Sequence, residues 1–222
     1  MKQGVRAVLM TSASCPPLLG VNNSIRTYGA ACPGDNLKAK DYLLSNPEIK
    51  TVVLSAAWRS YFREDGPLTA QAGSPRAGGA NAASNALGAT LQWLLDENRQ
   101  VVLIGDVPVY NKSVPLALVL EQAGLHKFVR SSLFSEQQKN ASFTEAVEAS
   151  KRKGASFSFL DPLKWMCAEE CVVIKSGVPM YFDLNHFSVA GAMSLEDPLS
   201  QGLFTVLAEP RDLRLTSSPP AR

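Results

Sequence analysis

The sequence predicts an α/β fold built on a doubly wound parallel sheet. Apolar runs rich in β-branched residues alternate with segments of helical periodicity, as in sheets covered on both faces. The 222 residues are 45% hydrophobic and 19% charged, which permits a sizeable core and excludes both a disordered chain and a coiled coil. The net charge is only +2, so a strongly electrostatic nucleic-acid binder is excluded as well, and no nucleic-acid partner is predicted.

Four runs predict buried parallel strands because they are apolar almost throughout and do not alternate strictly. They are Val5–Thr11, Thr51–Ala57, Gln100–Val107 and Ala155–Leu160. The strand–helix rhythm is continuous between them, which predicts one domain over residues 1–215. The Gly-, Pro- and Ala-rich stretch Gly66–Asn81 is a long loop within that domain, and Thr216–Arg222 is predicted to be a disordered tail.

Helices are predicted between these strands from their apolar spacing. The segments are Asp35–Leu44, Ala83–Asn98, Leu116–Ala123 and Thr144–Arg152. In the second of them, one face carries Leu87, Leu91, Leu94 and Leu95. The fourth ends in basic residues before Gly154, which suits the negative end of a helix and a glycine cap.

The four cysteines and the N-terminus indicate different compartments. Cys15 and Cys32 form one local pair and Cys167 and Cys171 the other, and the spacing favours two disulfides over a zinc site or free buried thiols. Disulfides indicate an oxidising compartment. No apolar run approaches the roughly 20 residues of a membrane helix, and the N-terminal run is too short for a signal peptide. We therefore expect that an upstream segment is missing from this chain.

Of the two histidines, only His186 has a neighbourhood that suggests chemistry. His126 follows a helix end and is interpreted as a surface or packing residue. His186 lies three residues after Asp183, between a short β run and a helix predicted to begin near Ser188. An Asp in that position can accept the Nδ1 proton and leave Nε2 free as a base. The alternative is that both residues only cap the loop.

The block Asp183–Ala192 (Asp-x-x-His-Phe-Ser-x-x-Gly-Ala) resembles the last block of SGNH (GDSL-type) hydrolase domains. It is most similar to the version fused to membrane O-acyltransferases of bacterial surface polysaccharides, including lipopolysaccharide. Other segments resemble the same subfamily, and the likeness runs from about Val5 to Met193. These segments are Cys15–Leu18 with Cys32, Val52–Trp58, Val101–Pro108, and Cys167 and Cys171 followed by Gly177–Asp183.

The resemblance implies a flavodoxin-like three-layer α/β/α fold with His186 as general base and Asp183 as its orienter. The family's nucleophile is a serine in a Gly-Asp-Ser block on the first strand, and this chain contains no such block. The resemblance therefore implies that the first strand is missing and that Val5–Thr11 corresponds to the second. Nothing in the context of Ser12 or Ser14 activates either as a substitute. The family's oxyanion-binding Asn is also replaced, since Trp58 occupies its place.

The resemblance implies an acyltransferase or esterase acting on O-acyl groups of surface polysaccharide, here as an inactive fragment. Its substrates would be an acyl donor and a glycan acceptor. The complete protein would carry a membrane acyltransferase domain upstream and be held in the periplasm at the inner membrane. The alternative is a non-catalytic domain that binds glycan through Trp58, Arg59 and Tyr61. No nucleotide-binding glycine motif is present, and neither a cofactor nor a metal is predicted.

Overall fold

The computed structural model describes residues 6–25, 27–71, 78–128 and 130–208. The strands are β1 (Val21–Asn23), β2 (Thr51–Ser55), β3 (Leu68–Ala70), β4 (Gln100–Ile104), β5 (Ser158–Leu160), β6 (Ile174–Lys175) and β7 (Val178–Pro179). The helices are α1 (Cys32–Ser45), α2 (Trp58–Tyr61), α3 (Gly79–Asp96), α4 (Val114–Gln122), α5 (Leu133–Lys139), α6 (Ala141–Arg152), α7 (Leu163–Met166), α8 (Val189–Ser194) and α9 (Glu196–Ala208). A 3₁₀ turn, Gly29–Ala31, precedes α1.

The central sheet consists of three parallel strands in the order β2-β4-β5. Thr51 is in register with Gln100, and Leu103 with Phe159. Three of the four predicted strands are thereby confirmed, each somewhat shorter than its apolar run. The chain is of mixed α/β type, as predicted, with helices packed against a parallel sheet.

The prediction of a strand at Val5–Thr11 is wrong over residues 6–11, which form no strand. The side chains of Val8, Leu9 and Met10 are exposed. An apolar run becomes a strand only where a neighbour pairs its backbone and its side chains are covered, and within the described ranges β2 pairs with β4 alone. The outer edge of β2 is therefore open, and Val53 in the middle of that strand is 45% exposed.

One hydrophobic core lies between the sheet and helices α3 and α6. Leu87, Leu91 and Leu94 of α3 are buried, as the leucine spacing predicts. Val101 and Leu103 of β4 meet them, together with Phe143 and Val147 of α6. The indole of Trp58 is stacked on Phe143 with ring centroids 5.1 Å apart and planes 4° apart. This region is built from long, regular elements.

A second core lies beyond the carboxyl end of β4 and is built mainly from loops. Its members include Tyr110, Val114, Met166, Met180 and Tyr181. The β6–β7 hairpin and helices α4, α7 and α8 supply the regular structure around it. The sequence analysis did not predict this hairpin, nor helices α5 and α9, although Leu199, Leu203 and Val206 of α9 follow a helical spacing.

The structure contains both disulfides. Cys15 is bonded to Cys32 at the start of α1, and Cys167 to Cys171 beside the second core.

Four predicted helices are also present, as α1, α3, α4 and α6, and Gly154 after α6 has a positive φ of 91°. The prediction of a loop over Gly66–Asn81 is wrong near both ends, where β3 and the first turn of α3 lie. Its residues 72–77 and the tail Thr216–Arg222 lie outside the described residues. Of the described helices, none combines the length and the apolar character needed to cross a membrane.

Candidate active site

Asp183 and His186 are in direct contact in a short loop between β7 and α8. The carboxylate oxygen Oδ2 of Asp183 lies 2.7 Å from Nδ1 of His186. The other carboxylate oxygen, Oδ1, accepts the backbone N–H groups of Asn185 and His186 at 2.8 and 2.7 Å. A single carboxylate therefore shapes the loop and binds the imidazole at the same time.

These hydrogen bonds fix the charge of Asp183. The two backbone donors, followed by the His186 ring, lower the pKa of this carboxyl to about 2. Asp183 is consequently ionised at neutral pH and favours a proton on Nδ1 of His186. The His186 side chain is 67% exposed, and in the described part of the chain its Nε2 atom has no hydrogen-bond partner. The imidazole thus presents a free nitrogen to solvent.

Backbone hydrogen bonds from the segment after β4 hold this loop in place. Its carbonyl groups at Asp183 and Leu184 accept hydrogen bonds from the N–H groups of Val114 and Tyr110, each at 2.9 Å. Those donors belong to the segment after β4, so the loop lies next to the chain that leaves the carboxyl end of the sheet. Sites in open parallel sheets occur at that end.

Helix α8 begins immediately after the loop, as the sequence predicts. Ser188 is its N-cap, and its Oγ accepts the N–H of Gly191 at 3.1 Å while donating to the carbonyl of Pro179 at 2.7 Å. A side chain at Gly191 would collide with the carbonyl oxygen of Met180, so the helix can approach the preceding strand only with glycine there. This close packing sets the position of His186 relative to the second core.

The structure places Trp58 and Tyr61 in the first core, which corrects the prediction that they stack on a glycan. Their residues are 0% and 5% exposed, so neither ring has a face available to a sugar. The indole N–H of Trp58 donates to the carbonyl of Ile104 at 2.7 Å. Stacking on Phe143 explains the burial of Trp58, because an apolar ring gains most where both of its faces are covered.

Arg59, the third residue predicted to bind glycan, is bound within the protein. Its guanidinium lies 3.3 Å from the carboxylate of Glu136, which is fully buried. Glu136 also pairs with Lys139 at 2.6 Å and accepts a hydrogen bond from the hydroxyl of Ser131. A buried carboxylate with two cationic partners is a structural arrangement, because removing either cation would leave part of its charge uncompensated.

Sequence reasoning missed Asp106, which joins the carboxyl ends of β2 and β4. Its two carboxylate oxygens accept the backbone N–H groups of Trp58 and Arg59 at 2.8 and 2.7 Å. Burial raises the pKa of Asp106 to about 6, against the effect of those donors. Both amides are therefore occupied and do not serve as oxyanion donors. A polar residue directly after a buried strand was the available signal.

Comparison with known proteins agrees with this fold. The model of a family described as the SGNH domain fused to AT3 domains matches residues 1–201. The chain therefore belongs to that family. A search of curated proteins gives no significant match.

Among solved structures, the chain is similar to the periplasmic domain of the lipopolysaccharide acetyltransferase of Salmonella ser. Paratyphi A. The two are 13% identical, with a TM-score of 0.55 over 86% of this chain and 69% of that one. At this identity the likeness concerns the fold, and it confirms the predicted SGNH-like architecture.

Proposed function

We propose that this domain takes part in transferring or hydrolysing O-acyl groups of bacterial surface polysaccharide, in the periplasm. Membership of the family fused to AT3 domains and the fold shared with a lipopolysaccharide acetyltransferase domain support this function. The observation that carries the proposal is the contact of 2.7 Å between Asp183 and His186, with Nε2 facing solvent. We also propose that the domain works beside a membrane acyltransferase domain, which supplies the acyl donor.

In this mechanism His186 moves protons in both half-reactions. Its Nε2 takes the proton of a serine hydroxyl while the serine oxygen attacks the carbonyl carbon of the acyl donor. The tetrahedral intermediate collapses, the donor's leaving group takes that proton, and an acyl-serine remains. A sugar hydroxyl then loses its proton to Nε2, attacks the acyl carbon and releases the serine, which regains the proton. With water in place of the sugar, the same steps are ester hydrolysis.

We infer that the serine of this mechanism reaches His186 from outside the described residues. Ser12 donates to the carboxylate of Asp35 at 2.8 Å, so its hydroxyl is already engaged elsewhere. We propose that the serine lies at the end of a strand that pairs with the open edge of β2. Parallel neighbours end at the same edge of a sheet, which would bring that serine to the site. Without that strand, the chain alone is expected to be inactive.

Fluorophosphonate labelling tests this proposal, because the reagent reacts only with an activated serine. The chain beginning at Met1 is compared with the product of the longest reading frame that contains it, each with and without His186→Ala. The expected result is labelling and p-nitrophenyl acetate hydrolysis only by the longer product, lost with His186→Ala. Removal of the nucleophile costs about 10⁶ in turnover in a studied serine hydrolase, so the contrast should be large.

Two outcomes would contradict parts of this account. Undiminished turnover by His186→Ala in the longer product would overturn the role of His186. His186-dependent labelling of the chain from Met1, abolished by Ser12→Ala or Ser14→Ala, would place the nucleophile inside this chain. That second result would overturn the added strand but leave the acyl-transfer function standing.

A further inference from the structure

The loop that carries His186 also presents an aromatic ring to solvent. Residues 180–188 form a tight antiparallel turn, in which the N–H of Phe182 donates to the carbonyl of His186 and the N–H of Ser188 to that of Met180, both at 2.9 Å. Tyr181 bridges to Phe187 in the same turn. Directly opposed residues of an antiparallel pair share a face. Phe182 and His186 therefore lie on one face, and Tyr181 and Phe187 on the other.

The two faces have opposite environments. Tyr181 is 1% exposed, and its ring lies 5.1 Å from that of Phe187 in the second core. Phe182 is 66% exposed, and its ring centroid lies 6.0 Å from that of the His186 imidazole. The phenyl ring of Phe182 thus contributes little to the core. Leu184 and Val189 are exposed as well, so His186 is bordered by apolar side chains over a short segment.

We propose that Phe182 is the platform on which the acceptor sugar stacks, which rests on the acyl-transfer function proposed above. A hydroxyl that gives its proton to Nε2 must come within about 2.6–3.2 Å of that atom. The ring of the sugar then extends over the neighbouring surface, where Phe182 offers a flat apolar face at a centroid spacing of 6.0 Å from the imidazole.

The chemistry of the acceptor sugar and of the acyl group favours the sugar as the ligand of the Phe182 ring. A pyranose has C–H groups on its faces and hydroxyls on its rim, so one face can cover the phenyl ring while a rim hydroxyl reaches Nε2. The acyl group is bonded to the serine and reacts at its carbonyl carbon, and it has no need of a surface beside the base. Phe182 would consequently select and orient the acceptor without taking part in proton transfer.

Binding measurements on the chain itself test this platform without any need for turnover. Methyl glycosides of glucose, galactose and mannose are titrated while the aromatic resonances of Phe182 are followed by NMR, together with those of the neighbouring His186 imidazole, which report the Kd in the variants that lack the Phe182 ring. We expect at least one glycoside to shift the Phe182 ring signals, with its Kd raised about tenfold by Phe182→Ala and retained by Phe182→Trp. The matched control is Phe134→Ala, since Phe134 lies on α5 and is 68% exposed.

Kinetics of the longer product separate this inference from the proposed function. Phe182→Ala should raise the KM for the sugar acceptor about tenfold, a larger effect than its effect on p-nitrophenyl acetate hydrolysis. An equal loss of both activities, or no shift of the Phe182 signals by any glycoside, would overturn the platform. A changed preference for acyl-chain length with an unchanged acceptor KM would assign the ring to the acyl group instead, and would also overturn it. Turnover independent of His186 would contradict the function, whatever Phe182 binds.

Discussion

The two cores of this protein use aromatic side chains in opposite ways. In the first core Trp58 is fully buried, stacked on Phe143 and hydrogen-bonded through its indole N–H to Ile104. Beside the second core, Phe182 lies at the surface next to His186. The first arrangement stabilises a sheet, whereas the second exposes apolar surface beside a reactive side chain. Residue type alone therefore does not separate a buried aromatic from an exposed one; its position in the fold does.

The first core is built on regular elements, whereas the second core is built mainly on loops that carry the candidate site. Strands β2, β4 and β5 satisfy most of one another's backbone groups, and α3 and α6 cover them. The site loop depends on a few defined contacts, chiefly the carboxylate of Asp183 and the N–H groups of Tyr110 and Val114. Changes in the first core should thus affect folding, and changes in the second mainly the site.

Truncating Trp58 should have the largest effect on stability. Trp58→Ala removes the stacked indole from a fully buried position and should cost about 3–5 kcal/mol of unfolding free energy. Trp58→Phe keeps a ring against Phe143 but loses the hydrogen bond to Ile104, so its cost should be intermediate. Chemical denaturation measures both. The control is Trp165→Ala, at a residue 37% exposed, and a loss there equal to that of Trp58→Ala would contradict the contrast.

The two disulfides should differ in their contribution because they close loops of different size. Cys15 and Cys32 are 17 positions apart, which corresponds to about 3 kcal/mol by loop-closure entropy. Cys167 and Cys171 are 4 positions apart, which corresponds to about 2 kcal/mol by the same relation. The double variants Cys15→Ala/Cys32→Ala and Cys167→Ala/Cys171→Ala are compared by denaturation. A larger loss from the second pair would show that the smaller bridge has a further role in holding the site region.

Asp106 should make stability depend on pH in a defined window. Its pKa is about 6 in the folded chain against 3.8 as the ordinary value, so the folded state holds the proton more tightly. Protonated Asp106 therefore adds on the order of 2–3 kcal/mol to the unfolding free energy below pH 4. That contribution should be lost as the pH rises to about 6. Asp183, with its pKa lowered to about 2, acts in the opposite direction and at lower pH, so the two windows are separate.

The variant Asp106→Asn isolates that dependence. The amide has one acceptor oxygen for the two N–H groups of Trp58 and Arg59, so we expect a cost of about 1–3 kcal/mol at pH 7. Denaturation curves recorded between pH 4 and 7 should lose the downward slope expected of the parent protein. An unchanged slope would mean that another group is responsible.

The sequence predicted the first region far better than the second. Continuous apolar runs are diagnostic for strands β2, β4 and β5, and the leucine period for α3, because burial on a regular element leaves a regular pattern. Residues 6–11 have the same apolar character, yet they form no strand, since pairing depends on a neighbour and not on the run itself. Local apolar content therefore predicts the tendency to form a strand, and the partner decides whether it forms.

The site was predictable only where its contacts are local in the chain. Asp183 and His186 are three residues apart and could be paired from the sequence, and Ser188 could be assigned as the N-cap. Glu136 meets Arg59 across 77 positions, so no short pattern records that pair. Because that contact and the stacking of Trp58 are long-range, the prediction of a glycan surface at Trp58, Arg59 and Tyr61 was wrong while the prediction of the loop's geometry held.

The most direct test of the account is the tautomer of His186, measured by ¹⁵N NMR on the chain itself. If ionised Asp183 holds the Nδ1 proton, the neutral ring should carry its hydrogen on Nδ1 and leave Nε2 bare. Asp183→Asn should remove that preference. A hydrogen on Nε2 of neutral His186, or a tautomer ratio that Asp183→Asn leaves unchanged, would contradict the assignment of His186 as the base.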